Sequence, residues 1–295
     1  MNMILPAAIL EIFQYQFMQH AFEAGTIVAV IAGIVGYFVV LRRSSFAAHA
    51  LSHIGFAGAA GAVLLGVNPV FGLLLFTGVG GTGIAILGPK AANRDVQIGT
   101  VLAFMLGLGV LFISLYTGYA TEAYSILFGE ILGISLSDVL LTLVVAVALL
   151  VAVAFVYRPL LFASLDENVA EAKGMPMLAI GITFMLLVAV ATSIAVQVVG
   201  VLLIFALMVT PAAIAQRVTK KPVRAIIVSV AVALFSTWLG LFISFYQPYP
   251  VSFFITTIVF VLYLLVRFVY PRISRAKNQV GTGNPDIHPV TIDQD

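Results

Sequence analysis

Apolar runs of around 20 residues follow one another from about residue 19 to about residue 270, and the polar joints between them are mostly short. A helical run of that length spans the hydrocarbon layer of a bilayer. In hydrocarbon, only helices and closed barrels satisfy their own backbone polar groups. Barrel strands alternate apolar and polar residues, and these runs do not alternate. The expected fold is therefore an all-α polytopic membrane protein. With 62% hydrophobic and 9% charged residues, almost nothing is left for a soluble domain. There is no cysteine, which excludes disulfides and thiolate metal sites.

The pattern predicts nine spans, near 19–41, 46–66, 69–88, 96–118, 136–157, 177–195, 199–216, 223–245 and 250–270. All 14 Lys and Arg fall at alternate joints: Arg42 and Arg43, Lys90 and Arg94, Arg158 and Lys173, the group from Arg217 to Arg224, and those from Arg267 onward. By the positive-inside rule that side is the cytoplasm. The N-terminus is then outside and the C-terminus inside. One transmembrane domain is expected over 1–277, with a polar, disordered tail over 278–295. Residues 4–18 read as a short helix on the outer membrane surface. Without Lys or Arg in 1–19, the N-terminus lacks the basic region of a cleaved signal.

The stretch 159–176, PLLFASLDENVAEAKGMP, is the longest cytoplasmic joint. Ser164 and Glu167 have capping-box spacing, and Gly174 and Pro176 form a stop signal. A short helix is expected at about 165–173, with Leu165, Val169 and Ala172 on one face. It is either a connector lying on the membrane or a helix that docks into a cytoplasmic partner.

The stretch AAHALSHIGFAGAAGA, residues 47–62, places two of the four histidines at i and i+4 on one helix face. Counting from Ser44, His49 and His53 lie roughly 8 and 14 Å into the membrane. Ionisable groups at that depth usually face a pathway or one another. Imidazole suits zinc and other first-row metals, so the pair is a candidate metal site. Protonation below about pH 6.5 would weaken it. Hydrogen bonding to a neighbouring helix and a proton relay are the alternatives. Ala50, where a metalloprotease needs Glu, disfavours proteolysis. The small residues from Gly55 to Gly61 allow close helix approach, so this span is expected at the centre.

His20 and Glu23 sit at the outer end of the first span, either as a first contact point for a cation or as an interfacial cap. Glu130 and Asp138, in FGEILGISLSD, lie on the outer side, where the glycines suggest a broken or re-entrant segment. Gln197, Gly200, and the Thr210-Pro211 step are expected to interrupt the seventh span beside a substrate route. No Walker A loop is present: in GIAILGPK, Pro89 stands where the lysine belongs. The chain is therefore not an ATPase, and any ATP hydrolysis falls to another chain.

The segments RRSSFAAHALSHIGFAGAA (42–60), FGEILGISLSD (128–138), DENVAEAKG (166–174) and VVGVLLIFALMVTPAAIA (198–215) resemble the membrane permeases of bacterial ABC importers for zinc, manganese and iron, the ZnuB-type permeases. The likeness runs over about residues 15–272. It implies a type II importer-like permease in the bacterial plasma membrane. It further implies a homodimer with the path on the twofold axis, two copies of an ABC ATPase that bind ATP, and a solute-binding protein outside. Lipid surrounds the chain, and no nucleic acid takes part. The resemblance makes the 165–173 helix, with Asp166, Glu167, Ala170 and Gly174, the coupling helix. It makes His49 and His53 the metal site, and Gln197, Gly200, Thr210 and Pro211 part of the pathway or gate. Many members carry Asp where His49 stands. Two imidazoles without a carboxylate suit a borderline-soft ion, so zinc is expected over manganese. No resident cofactor is implied. A secondary cation–proton transporter using the same histidines and an importer of metal chelates are the competing readings.

Overall fold

The computed structural model describes residues 12–87, 94–116, 129 and 131–281. The outer helix expected at 4–18 lies mostly outside these residues, as do Glu130 and the tail after Gly281. Nine helices are described: α1 Gln16–Leu41, α2 Ser45–Leu64, α3 Pro69–Leu87, α4 Arg94–Leu115, α5 Leu136–Leu165, α6 Glu167–Ala172, α7 Met177–Val218, α8 Pro222–Tyr246 and α9 Val251–Gly281. All but α6 include a stretch long and apolar enough to cross a membrane, eight in all. Local signals set several ends. The Asn68 side chain accepts from the Val70 N–H at 2.9 Å before α3, and Pro222 opens α8.

Eight such helices, rather than the nine expected spans, arise because α7 covers both 177–195 and 199–216. A straight helix of its 42 residues would be about 63 Å long, about twice the hydrocarbon layer. It is not straight. Gly200 has φ 81° and ψ 165°, the one non-helical residue inside α7. Near the start of α7, the Phe184 ring lies under the Arg42 guanidinium at 5.1 Å. Near its end, the Gln216 side chain donates to the Tyr37 carbonyl at 3.2 Å. Tyr37 and Arg42 both mark the C-terminal end of α1. Between them, Gln197 donates to the Asp138 carboxylate at 3.4 Å, at the start of α5. There Leu136 and Val139 share a cavity with Phe22 and Glu23 of α1. The chain therefore crosses to the far end and turns back at Gly200.

Two expected interruptions are corrected. Thr210 and Pro211 stay helical, and the break of α7 falls at Gly200 alone. Helix α5 does not stop before Pro159 but runs through it to Leu165. Pro159 removes the N–H that would bond the Phe155 carbonyl, and Phe155 faces outward, 83% exposed, so no packed neighbour is disturbed there. Helix α9 also runs four residues past the expected domain end at 277.

Burial ranks the helices. In the most apolar window of α2, 78% of residues are buried, against 11% in α4. The central place expected for α2 follows from its small residues. A Cβ on Gly58 would overlap the Gly72 carbonyl, and one on Gly72 would overlap the Gly58 carbonyl. The two backbones touch at that crossing, as small residues permit.

The conformation of Gly200 lies in a region essentially restricted to glycine. Gly200→Ala is expected to lower stability by about 1–3 kcal/mol, measured by thermal unfolding in detergent. An unchanged midpoint would mean that the turn tolerates a side chain.

Candidate metal path and coupling surface

His49 and His53 lie in the first half of α2, and the i, i+4 spacing holds them together. Their ring centroids are 4.7 Å apart with the planes at 85°. Both rings are half-buried. Neither Nδ1 has a hydrogen-bond partner, although both atoms are buried. A histidine serving only as helix glue would spend that nitrogen on a neighbour. Two imidazoles with rings this close, each with an unpartnered buried nitrogen, instead suit a shared cation, since imidazole nitrogens bind zinc at about 2.0–2.1 Å. No group of three or more His, Asp or Glu that could hold a metal is found among the described residues. Among the described residues the donor set is therefore the two imidazoles.

The returning arm of α7 supplies the wall of this site. Phe205 places its ring 4.7 Å from that of His49, at 61°. The sequence reading did not single out Phe205. Leu202, Phe205, Ala206 and Val209 lie at helical spacing and form the less buried face of that arm, but spacing alone does not say that this face meets His49. Gly200 positions this arm, since the turn there starts it five residues before Phe205.

The other candidates fall elsewhere. His20 and Glu23 share the first turns of α1, about 30 Å of helical rise from its C-terminal end, so they do not join the histidine pair. Glu23 is exposed and borders a largely apolar cavity of about 610 Å³ with Phe22, Leu140 and Trp238. Asp138 serves as a cap: Ser135 accepts from the Asp138 N–H, and the Asp138 carboxylate accepts from the Ser135 N–H. It also holds Gln197. Gln197, Gly200 and Asp138 thus belong to one junction, at the end of the bundle opposite Arg42. Thr210 and Pro211 lie farther along the returning arm.

The short helix α6 appears where the sequence placed it, with a different cap. Asp166, not Ser164, accepts from the Val169 N–H at 3.0 Å. Ser164 is still inside α5, and its hydroxyl donates to the Leu160 carbonyl. The expected capping box of Ser164 and Glu167 does not form. At the other end, the Gly174 N–H donates to the Glu171 carbonyl at 2.9 Å and the Met175 N–H to the Ala170 carbonyl at 3.1 Å. With Gly174 at φ 74°, this is a Schellman closure. Ala170 is fully buried against the bundle. Leu165 and Val169 are 62% and 42% exposed, with Ala172 exposed beside them. The expected single helical face is split at the extended Asp166: Leu165 ends α5, and Val169 and Ala172 lie on α6, so the exposed apolar surface spans both helices.

A bundle of membrane-crossing helices around a mid-depth imidazole pair defines a membrane transport protein. Residues 14–270 match the ABC 3 transport family, and the chain belongs to that family. The manganese transport system membrane protein MntC of Listeria monocytogenes is 32% identical over 235 residues, covering 79% of this chain and 84% of that protein. The chelated iron transport system membrane protein YfeC of Yersinia pestis is 29% identical over 290 residues, covering 95% and 97%. Among solved structures, PsaBC from Streptococcus pneumoniae in complex with Fab superposes with a TM-score of 0.83 at 29% identity, covering 94% of this chain and 100% of that one. The resemblance drawn from the four sequence segments is borne out at the level of the family.

Asp166→Ala is expected to destabilise α6 by about 1 kcal/mol. Amide hydrogen exchange should then be faster at Val169 and unchanged in α2. Unchanged exchange at Val169 would show that the cap does not hold the helix.

Proposed function

We propose that this chain is the permease of an ATP-driven importer of divalent transition-metal ions, working as a homodimer. The observation that carries the reading is the half-buried imidazole pair with both Nδ1 atoms unpartnered. Two imidazoles are half of a tetrahedral donor set. A second copy across a twofold axis completes it with the same two side chains. His49 and His53 act as neutral ligands, each offering a ring-nitrogen lone pair to the ion. Phe205 keeps water from one side of the His49 ring. With no carboxylate in the pair, the ion is held without charge neutralisation and is free to leave.

The chain has no Walker A loop, so the ATPase is a separate subunit. Helix α6 is its contact: Val169 and Ala172, with Leu165 at the end of α5 beside them, offer an apolar surface for a groove in that partner. Asp166 and Gly174 define the ends of α6, Glu167 opens it, and Ala170 fixes it to the bundle. A solute-binding protein delivers the ion at the opposite end, where His20 and Glu23 begin α1. Gln197 and Gly200 form the outer hinge of the path, and Thr210 and Pro211 line its returning arm. The arginine-bearing end faces the cytoplasm.

The donor set favours zinc, because a hard ion such as manganese prefers carboxylate, carbonyl and water oxygens. Manganese is the second reading, favoured by the printed function of MntC, and iron follows from YfeC. Uptake by the reconstituted complex, with these metals in competition, decides among them. Zinc displacing manganese supports the first reading; manganese uptake unaffected by zinc supports the second. In either case His49→Ala/His53→Ala is expected to reduce uptake at least about tenfold while the protein still assembles. Native-level uptake by that variant would remove the pair from the path.

A further inference from the structure

A cavity of about 600 Å³ opens at the arginine-bearing end of the bundle. Arg42 and Arg43 at the end of α1 and Arg94 at the start of α4 line it, against the two carboxylates of Asp166 and Glu167. Among the described residues, three positive and two negative groups leave one positive charge in excess. The Asp166 carboxylate is already engaged as the cap of α6. The Arg94 Nε is buried without a hydrogen-bond partner. Burial pushes the Arg42 guanidinium below its usual pKa range; Glu167 opposes this and Arg94 adds to it.

Arg43 makes the cavity more telling. It has φ 52°, the one non-glycine residue with positive φ among the described residues. Its N–H donates to the Val40 carbonyl at 3.1 Å and the Ser44 N–H to the Val39 carbonyl at 2.9 Å. This is the helix-closing position where glycine is the default. The chain instead places an arginine there, on the wall of the cavity.

A second cavity, of about 520 Å³, lies between α3 and α4. Ile54 of α2 lines it with Leu75, Val79 and Gly83 on one side and Ile98 and Met105 on the other, and every described residue that borders it is apolar. A Cβ built on Gly83 would meet no atom within 4 Å. The two cavities border the same turn of α3, through Ile84 and Ala85. They also border the same face of α4, through Arg94 and Ile98 one turn apart.

We propose that an anionic phospholipid binds here, with its phosphate among Arg42, Arg43 and Arg94 and an acyl chain in the groove between α3 and α4. Basic pockets between membrane helices attract anionic headgroups. The excess charge and the unpartnered Arg94 nitrogen favour a phosphate over a neutral headgroup. The adjoining groove has the wholly apolar lining that an acyl chain fills and water does not.

The test is native mass spectrometry of the full chain titrated with phosphatidylglycerol, with phosphatidylcholine and with inorganic phosphate. Phosphatidylglycerol is expected to bind best. Arg43→Gln and Arg94→Gln should each weaken it about fivefold without changing phosphatidylcholine binding. Gly83→Phe should weaken it by filling the groove. Thermal unfolding checks each variant for folding, and the exposed Arg43 side chain keeps one arm available if Arg94→Gln misfolds. Native-level phosphatidylglycerol binding in the folded arginine variants overturns the proposal, as does equal affinity for phosphatidylcholine. Binding of inorganic phosphate that leaves lipid retention unaffected assigns the basic cavity to a free anion instead. A Gly83→Phe variant that changes oligomeric state but keeps its lipid assigns the groove to a second copy.

Discussion

The reversal of α7 at Gly200 is the constraint on which the rest of the bundle depends. It lets the 42 residues of α7 cross the membrane layer twice, and the two arms pack against α1, α2, α3, α5, α8 and α9. The turn sits where two glycines meet. A Cβ on Gly129 would stand 2.6 Å from the Gly200 nitrogen, and the backbone conformation of Gly200 disfavours a side chain there. The Gln197–Asp138 hydrogen bond ties the same corner to the start of α5. From that corner the returning arm brings Phe205 to the His49 ring.

Small residues do for α2 what Gly200 does for α7. The Gly58–Gly72 crossing lets α3 approach α2 to backbone contact. The buried Thr77–Ser193 hydroxyl pair, 2.8 Å apart, links α3 to the outgoing arm of α7. Two half-buried imidazoles are tolerated in this setting because the helix that carries them is enclosed by protein over most of its surface. On a lipid-facing helix the same residues would be far more costly.

Much of this was legible in the sequence, because hydrocarbon imposes few solutions. The apolar runs located the crossings, and the i, i+4 spacing put His49 and His53 on one face. What failed were inferences from local motifs. Ser164 and Glu167 have capping-box spacing, but a cap needs a non-helical backbone at the serine. Helix α5 runs through Pro159, so the Ser164 hydroxyl bonds back to Leu160 instead. The box forms at Ser135 and Asp138, where Asp takes the place of Glu. Gly200 and Pro211 were both expected to interrupt the seventh span, and only Gly200 does. The His49–Phe205 contact and the arginine cavity were invisible for another reason: their partners are distant in sequence and meet only through packing. Arg42, Arg94 and Glu167 share a cavity that no spacing rule relates.

The central claim is that His49 and His53 bind the transported ion directly. X-ray absorption at the zinc edge of the zinc-loaded protein tests it most directly. The account predicts a first shell containing imidazole nitrogens at about 2.0–2.1 Å, lost when both histidines are replaced. A first shell of oxygens alone, or one unchanged by the double replacement, would contradict it.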